Sequence, residues 1–296
     1  MPNFATRRFL TTTAGIAASL CTGIFLVACG KTETPAPVVA VISSPAVSAP
    51  APVARVYVVG TDAAYAPFES QNEKGDIVGF DIDVVKAAAA KAGIEVKFVN
   101  TPWEGIFNNL AMGDRDLVAS AVTITDERKQ TMDFSTPYFN AQQLIAVPMA
   151  SKITKFNDLL SRKIGVQTGT TGDEAVSKLV GKTNPNIKRF ESTPLALKEL
   201  EAGGVDAVVA DNGVVINYVN NNAGGKFKTV TDSAFAPEQY GIAIKKGNAE
   251  LKGKLDKGLA DIKTDGTYDK IYVQYFGAAS AIGAMPASAP AAVSSK

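Results

Sequence analysis

Two threonines, two acids and an arginine fall within residues 122–128 (VTITDER), a pattern that fixes a guanidinium one helical turn beyond the threonines. Val122, Thr123 and Ile124 read as the end of a strand, and Thr125 as the N-cap of a helix. Asp126 and Glu127 then occupy the first turn, where acids suit the helix dipole. Arg128 faces the same mouth. A guanidinium fork holds a carboxylate through two parallel charge-assisted hydrogen bonds, so the pattern suits a ligand with a free carboxylate. By themselves the same residues also describe a surface arginine beside a helix start.

A second polar turn lies at residues 164–174 (IGVQTGTTGDE), where Ile164 to Val166 read as a strand followed by a turn and a helix start. Thr170, Thr171 and Gly172 offer backbone N–H groups there, and such a helix N-terminus attracts anions without a basic side chain. The plainer alternative is that Thr171 caps the helix and the glycines serve the turn.

The elements that must position these groups alternate in type. Residues 55–59 form a short apolar strand ending at Gly60, Thr61 and Asp62; residues 80–91 an Ala-rich helix; residues 94–99 another strand. Such alternation marks a parallel α/β sheet, whose ligands bind at the strands' carboxyl ends. Residues 109–123 (NLAMGDRDLVASAVT) and 199–212 (ELEAGGVDAVVADN) echo each other. Each reads as helix end, glycine, Asp, apolar strand, polar residue. The echo suggests two lobes of like design that offer polar groups to one cleft.

Composition excludes several function classes. The 296 residues carry 30 basic and 29 acidic side chains, so there is no basic stripe for nucleic acid. There is no histidine, which removes His bases, Ser/His triads and His metal ligands. Both cysteines, Cys21 and Cys29, lie in the first 30 residues, leaving the folded part without a thiol nucleophile or a thiolate metal site. Neither a metal nor a cofactor is expected.

Arg7 and Arg8 precede an apolar run over residues 14–28, shorter than a comfortable membrane span and suited to an export signal, so residues 1–28 are read as a signal peptide. Leu26, Val27, Ala28 and Cys29 resemble the bacterial lipobox, which makes Cys29 the expected lipidated N-terminus; an ordinary leader with an incidental cysteine is the alternative. Residues 29–54, rich in Pro, Ala, Val, Ser and Thr, are read as a flexible lipid-anchored linker, and residues 278–296 as a disordered tail.

Six segments recur in one order: residues 61–70 (TDAAYAPFES), 79–83 (GFDID), 123–128 (TITDER), 133–139 (DFSTPYF), 167–173 (QTGTTGD) and 205–211 (VDAVVAD). Together they resemble the amino-acid-binding proteins of bacterial ABC importers, solute-binding protein family 3. The resemblance implies an α/β fold, a two-lobed periplasmic-binding-protein-like clamshell of type II, with two hinge strands near residues 138–142 and 236–240. Lobe 1 would comprise residues 55–140 and 238–277, and lobe 2 residues 141–237. It further implies that Arg128 clamps the ligand α-carboxylate with backbone N–H groups of Thr123 and Thr171. Asp211 would pair with the α-ammonium, helped by the Thr123 hydroxyl and the Ala121 carbonyl, while Tyr65 and Trp103 sandwich the side chain.

For ligand identity, glutamine-binding relatives place a lysine at the Gln167 position and a histidine at the Ala210 position. This chain has neutral side chains there. With Asp62, Asp81 and Glu104 as possible carboxylates, and Tyr65 and Trp103 able to stack on a cation, a basic amino acid (arginine, lysine or histidine) fits the balance. Glutamine or another neutral polar amino acid is the alternative. The implied protein is a periplasmic, membrane-tethered monomer that performs no chemistry and delivers its ligand to a permease and ATPase pair. A cyclohexadienyl dehydratase-like enzyme, with Glu104 or Asp62 as acid, is the remaining alternative.

Overall fold

A computed structural model describes residues 55–222 and 224–278 of the chain. The signal-peptide, lipobox and linker readings of residues 1–54, and all but the first residue of the expected tail, lie outside the described residues.

Two five-stranded mixed sheets organise the rest. In the first, the strands run in the order Glu95–Asn100, Val56–Thr61, Leu117–Val118, Ala243–Lys245 and Met132–Phe134. In the second, the order is Ile187–Phe190, Ile164–Gln167, Ala207–Asp211, Gln143–Pro148 and Phe227–Val230. The two share one plan: three parallel strands, then a fourth that is antiparallel to both neighbours. The echo in the sequence is therefore structural, because Leu117–Val118 and Ala207–Asp211 each take the third place in their sheets. Each is preceded by a helix, Ile106–Met112 and Thr193–Glu201. The carboxyl ends of the central parallel strands are where Asp62, Gln167 and Asp211 emerge, as expected of ligand sites in such sheets.

Helices Phe80–Lys91, Ala249–Thr264 and Thr267–Phe276 pack on the first sheet and bury Val84, Val85, Ala88, Leu255, Leu259 and Ile262. The second sheet is covered on both faces, one by a cluster with Val166, Val176 and Val209, the other by one with Ala196, Leu197 and Val208. Its inner strands Ile164–Gln167, Ala207–Asp211 and Gln143–Pro148 accordingly read as largely apolar runs, as strands buried on both faces do, whereas the edge strand Ile187–Phe190 carries exposed Lys188 and Arg189.

Phe139–Ala141 pairs antiparallel with Glu238–Tyr240 as a separate two-stranded sheet, in the segments where the crossing strands were expected. The chain enters the second sheet directly after the first of these strands and returns to the first sheet after the other. Its cross-strand pair Phe139 and Tyr240 is fully buried and stacked, with centroids 5.3 Å apart, and Phe68 meets both edge-on. Aromatic pairs in this geometry add about 0.5–1.5 kcal/mol beyond their area burial, so the crossing, the pivot between the two sheets, is held by ring packing as well as by its ladder.

Two backbone features carry the helix Phe80–Lys91 towards the cleft. Its N-cap, Gly79, has φ 143°, and a Cβ there would lie 2.0 Å from the Phe68 carbonyl oxygen, so only glycine lets the helix start so close to that chain. The other is a correction: the strand expected to run to Ile124 ends at Val118. Residues 119–125 are irregular, form one isolated bridge with the pivot, Thr123 to Tyr240, and turn at Ala121, whose φ is 45°.

Candidate ligand-binding site

Thr125 caps the helix Asp126–Thr131 by accepting the Arg128 backbone N–H at 3.1 Å, so the sequence alone fixes where Arg128 starts. The side chain is 9% exposed. Its guanidinium lies over Trp103 and Phe107 at 5.4 and 5.2 Å from the ring centroids. Nη1 donates to the Thr123 carbonyl at 2.9 Å and Nη2 to the Gly169 carbonyl at 3.5 Å, which engages two of five N–H donors. One face is thus stacked on aromatics and part of the fork is left for an anion. Burial lowers the guanidinium pKa from its ordinary value, and Glu174, Asp211, Glu238 and Glu127 oppose that.

The bridge between Thr123 and Tyr240 is closed by Ile124 N–H to Gln239 and Gly241 N–H to Val122. Thr123's own N–H and C=O therefore point away from that strand, towards Arg128. Its hydroxyl donates to Glu238 Oε2 at 2.6 Å, and the Thr171 hydroxyl donates to the same oxygen at 2.9 Å. Thr171 is not the helix cap. Thr170 accepts the Asp173 N–H, which puts Thr171 at the first helical position with its hydroxyl turned to Glu238.

Asp211, 6% exposed at the end of its strand, accepts from Tyr240 Oη and Gln143 Nε2. Burial first, and the charge of Glu238 second, push its pKa up to about 7; Tyr240, Tyr65 and Gln143 pull the other way by hydrogen bonding.

These groups line one cavity together with residues from both sheets. Of the ten predicted site residues, Asp62, Tyr65, Trp103, Ala121, Thr123, Arg128, Gln167, Thr171 and Asp211 line it. Arg128 is the one basic side chain among them. Asp62 accepts Gln167 Nε2 at 3.3 Å, one of the bonds that spans from one sheet to the other, and burial raises its pKa. Gln167 is oriented further by Thr193 and Glu191.

Asp81 does not line the cavity. It is fully buried one layer behind, where Oδ2 accepts the Ala121 N–H at 2.7 Å and the Tyr138 hydroxyl at 2.6 Å. Nor does it cap its helix. Its bond to Ala121 holds that residue in the left-handed region, at a cost of order 1 kcal/mol for a non-glycine residue. Glu104 is exposed and outside the cavity.

Three lining residues escaped the sequence reading: Glu69, Ser120 and Thr170. Glu69 is the most consequential, being fully buried with its Oε1 accepting the Ser120 hydroxyl at 2.9 Å. A signal for it was present, since Glu69 is the direct cross-strand partner of Tyr65, and such partners share a face. Glu238 escaped too. It bridges Thr123 to Thr171 and Gln143 from the pivot strand, over 100 residues from Thr123 in sequence. Among the described residues no group of three or more His, Cys, Asp or Glu has the arrangement to hold a metal ion.

The pattern of cavity, pivot and paired sheets has relatives. A probable histidine-binding protein from Neisseria gonorrhoeae is 44% identical over 263 residues, covering 88% of this chain and 94% of that protein. The crystal structure of an arginine-, lysine-, histidine-binding protein from Geobacillus stearothermophilus superposes with TM-score 0.73 at 46% identity, over 75% of this chain and 96% of that one. An ancestral amino-acid-binding protein described as a precursor of cyclohexadienyl dehydratase gives TM-score 0.67 at 40% identity, over 75% and 95%. Residues 57–278 match the bacterial extracellular solute-binding proteins, family 3, and the chain belongs to that family.

Proposed function

We propose that the protein captures a basic amino acid (arginine, lysine or histidine) and delivers it to the permease and ATPase of an ABC importer. The observation that carries this reading is the charge arrangement of the cavity. Arg128 is its one cation, Asp211 lies within its electrostatic reach, and Asp62 and Glu69 add two more carboxyls. A zwitterion needs one fixed cation and one fixed anion. The surplus carboxyls then call for a ligand with a second positive group, and Tyr65 and Trp103 line the same cavity as stacking surfaces. Relatives named for histidine and arginine support the same class.

In this reading Arg128 holds the α-carboxylate with the Thr123 and Thr171 N–H groups, and Asp211 with the Ala121 carbonyl holds the α-ammonium. Residues 55–140 and 238–277 form one lobe and residues 141–237 the other. The ligand contacts both, so it favours the closed arrangement by its differential affinity for it. The protein acts in the periplasm as a monomer, tethered through a lipid on Cys29. Cys29→Ser is expected to leave the membrane fraction; continued membrane association refutes the anchor.

The test of the ligand class is a thermal-shift screen against the twenty amino acids, since a ligand that binds only the folded state raises stability logarithmically with its excess. Arginine, lysine and histidine are expected to give the largest rises. A rise with glutamine alone, or with no basic amino acid, overturns the reading. The kinship with a dehydratase precursor motivates one control: incubation with prephenate, where formation of phenylpyruvate would show an enzyme.

A further inference from the structure

Each carboxyl of the Glu69 and Asp81 pair has one satisfied oxygen and one bare one. Glu69 Oε1 accepts from Ser120, and Asp81 Oδ2 accepts from Ala121 and Tyr138. Glu69 Oε2 and Asp81 Oδ1 are buried and have no protein hydrogen-bond partner. Leaving one such group unsatisfied costs about 1–3 kcal/mol, and more when it is charged. The two carboxyls lie within hydrogen-bonding reach of each other with no other donor between them, and a single proton is that donor. The groups around the pair offer no other remedy: Asp62, Asp211, Tyr65, Tyr138 and Tyr268 face it, and none is basic. Only Glu69 reaches the cavity wall, so a ligand meets the pair through that residue.

We propose that Glu69 and Asp81 share one proton in the empty cleft, that a ligand side chain arriving as a cation displaces it to solvent, and that a neutral imidazole takes it up. The inference rests on the basic-ligand reading of the cavity. The positive charge of arginine or lysine replaces the proton as the counter-charge of the pair, and one proton leaves. Histidine is mostly neutral at pH 7. It becomes imidazolium inside the cleft by receiving the proton from Glu69, so nothing is released. Both routes end in the same state, a cation against two carboxylates. Burial first, and then the neighbouring carboxylate, raise Glu69 well above the ordinary value, and burial pushes Asp81 up to about 7, in keeping with a proton held at neutral pH.

Asp211, with its pKa pushed up to about 7, loses any proton it holds to solvent when a ligand ammonium pairs with it, so it contributes equally for every amino acid. The difference between ligands isolates the pair. The experiment is titration calorimetry of the whole protein at pH 7 in phosphate and in Tris, whose ionisation enthalpies differ, with arginine, lysine and histidine. Arginine and lysine are expected to release close to one proton more than histidine. In Glu69→Gln, whose amide supplies the donor that Asp81 lacks, arginine is expected to release about one proton fewer than in the parent. Equal proton counts for arginine and histidine overturn the exchange, as does an unchanged arginine count in the variant. If Glu69→Gln fails to fold, the comparison of the three ligands on the parent protein decides alone. Binding of the basic amino acids without the proton difference refutes only the exchange, whereas no binding of any of them removes the site reading and the exchange with it.

Discussion

The two acidic regions of the cavity differ in how complete they are before a ligand arrives. Around Arg128 the acids have partners: buried Asp211 accepts from Tyr240 and Gln143, and half-buried Glu238 accepts from both threonines. Around Glu69 two carboxyl oxygens have none. In the proposed reading the first region meets what all amino acids share, and its geometry is set in advance by a capped helix and a pivot strand. In the proposed reading the second meets what distinguishes one amino acid from another, because its unpartnered carboxyl oxygens are a deficit that a cationic side chain would fill. On that reading, recognition of the common part is preorganised and selectivity lies in the unfinished part.

The sharpest way to break this division is Arg128→Ala. Removing one partner of a buried charge pair costs about 2–5 kcal/mol, so affinity for every amino acid is expected to fall by about 30-fold or more in calorimetry. A loss confined to basic ligands would contradict the division. Asp62→Asn combined with Glu69→Gln attacks the other region. Affinity for arginine and lysine is expected to drop roughly 10- to 100-fold, while glutamine changes much less. A uniform loss across ligands would show that the regions are not separable.

A pH series sharpens the same contrast. Glu69, Asp81 and Asp211 all have folded-state pKa values raised above their ordinary ones. Groups shifted in that direction favour the fold most below the unfolded pKa, and that contribution is lost as pH rises through the folded value. The melting temperature of the ligand-free protein is therefore expected to fall between about pH 5 and pH 8. The rise produced by saturating arginine should grow over the same interval. A ligand-free melting temperature that climbs across that window would refute the shifts. The smallest effect is expected from Ala121→Gly. Relief of the left-handed conformation and the greater freedom of the unfolded chain nearly cancel, so denaturant unfolding should place the variant within about 1 kcal/mol of the parent.

Much of this architecture was legible in the sequence because it rests on local signals. The cap at Thr125, the Ala-rich helix and the apolar strands ending in polar residues are decided by neighbours a few residues away. So is the echo between the two sheets. Arg128, Asp211 and Trp103 stand at such ends, and the structure brings them around one cavity. What escaped depended on contacts between distant segments. Asp81 reads as a ligand carboxylate from its position in the motif, yet Tyr138 and the Ala121 N–H, 57 and 40 residues away, take it out of reach. Glu238 acquires its role only where the pivot strand passes Thr123, 115 residues earlier in the chain. The kink at Ala121 ended a strand that its apolar neighbours favour, because the Asp81 carboxylate holds the N–H in a direction no strand partner offers.

Trp103 is the one tryptophan in 296 residues, and it stands on the cavity wall with the guanidinium of Arg128 5.4 Å from its ring. Indole emission from the unlabelled protein therefore originates at the cleft and nowhere else in the chain. Capture and release of a ligand can be followed optically in real time, without a dye and without an engineered reporter. The same spectrum that reports occupancy also reports how wet that wall is at each moment.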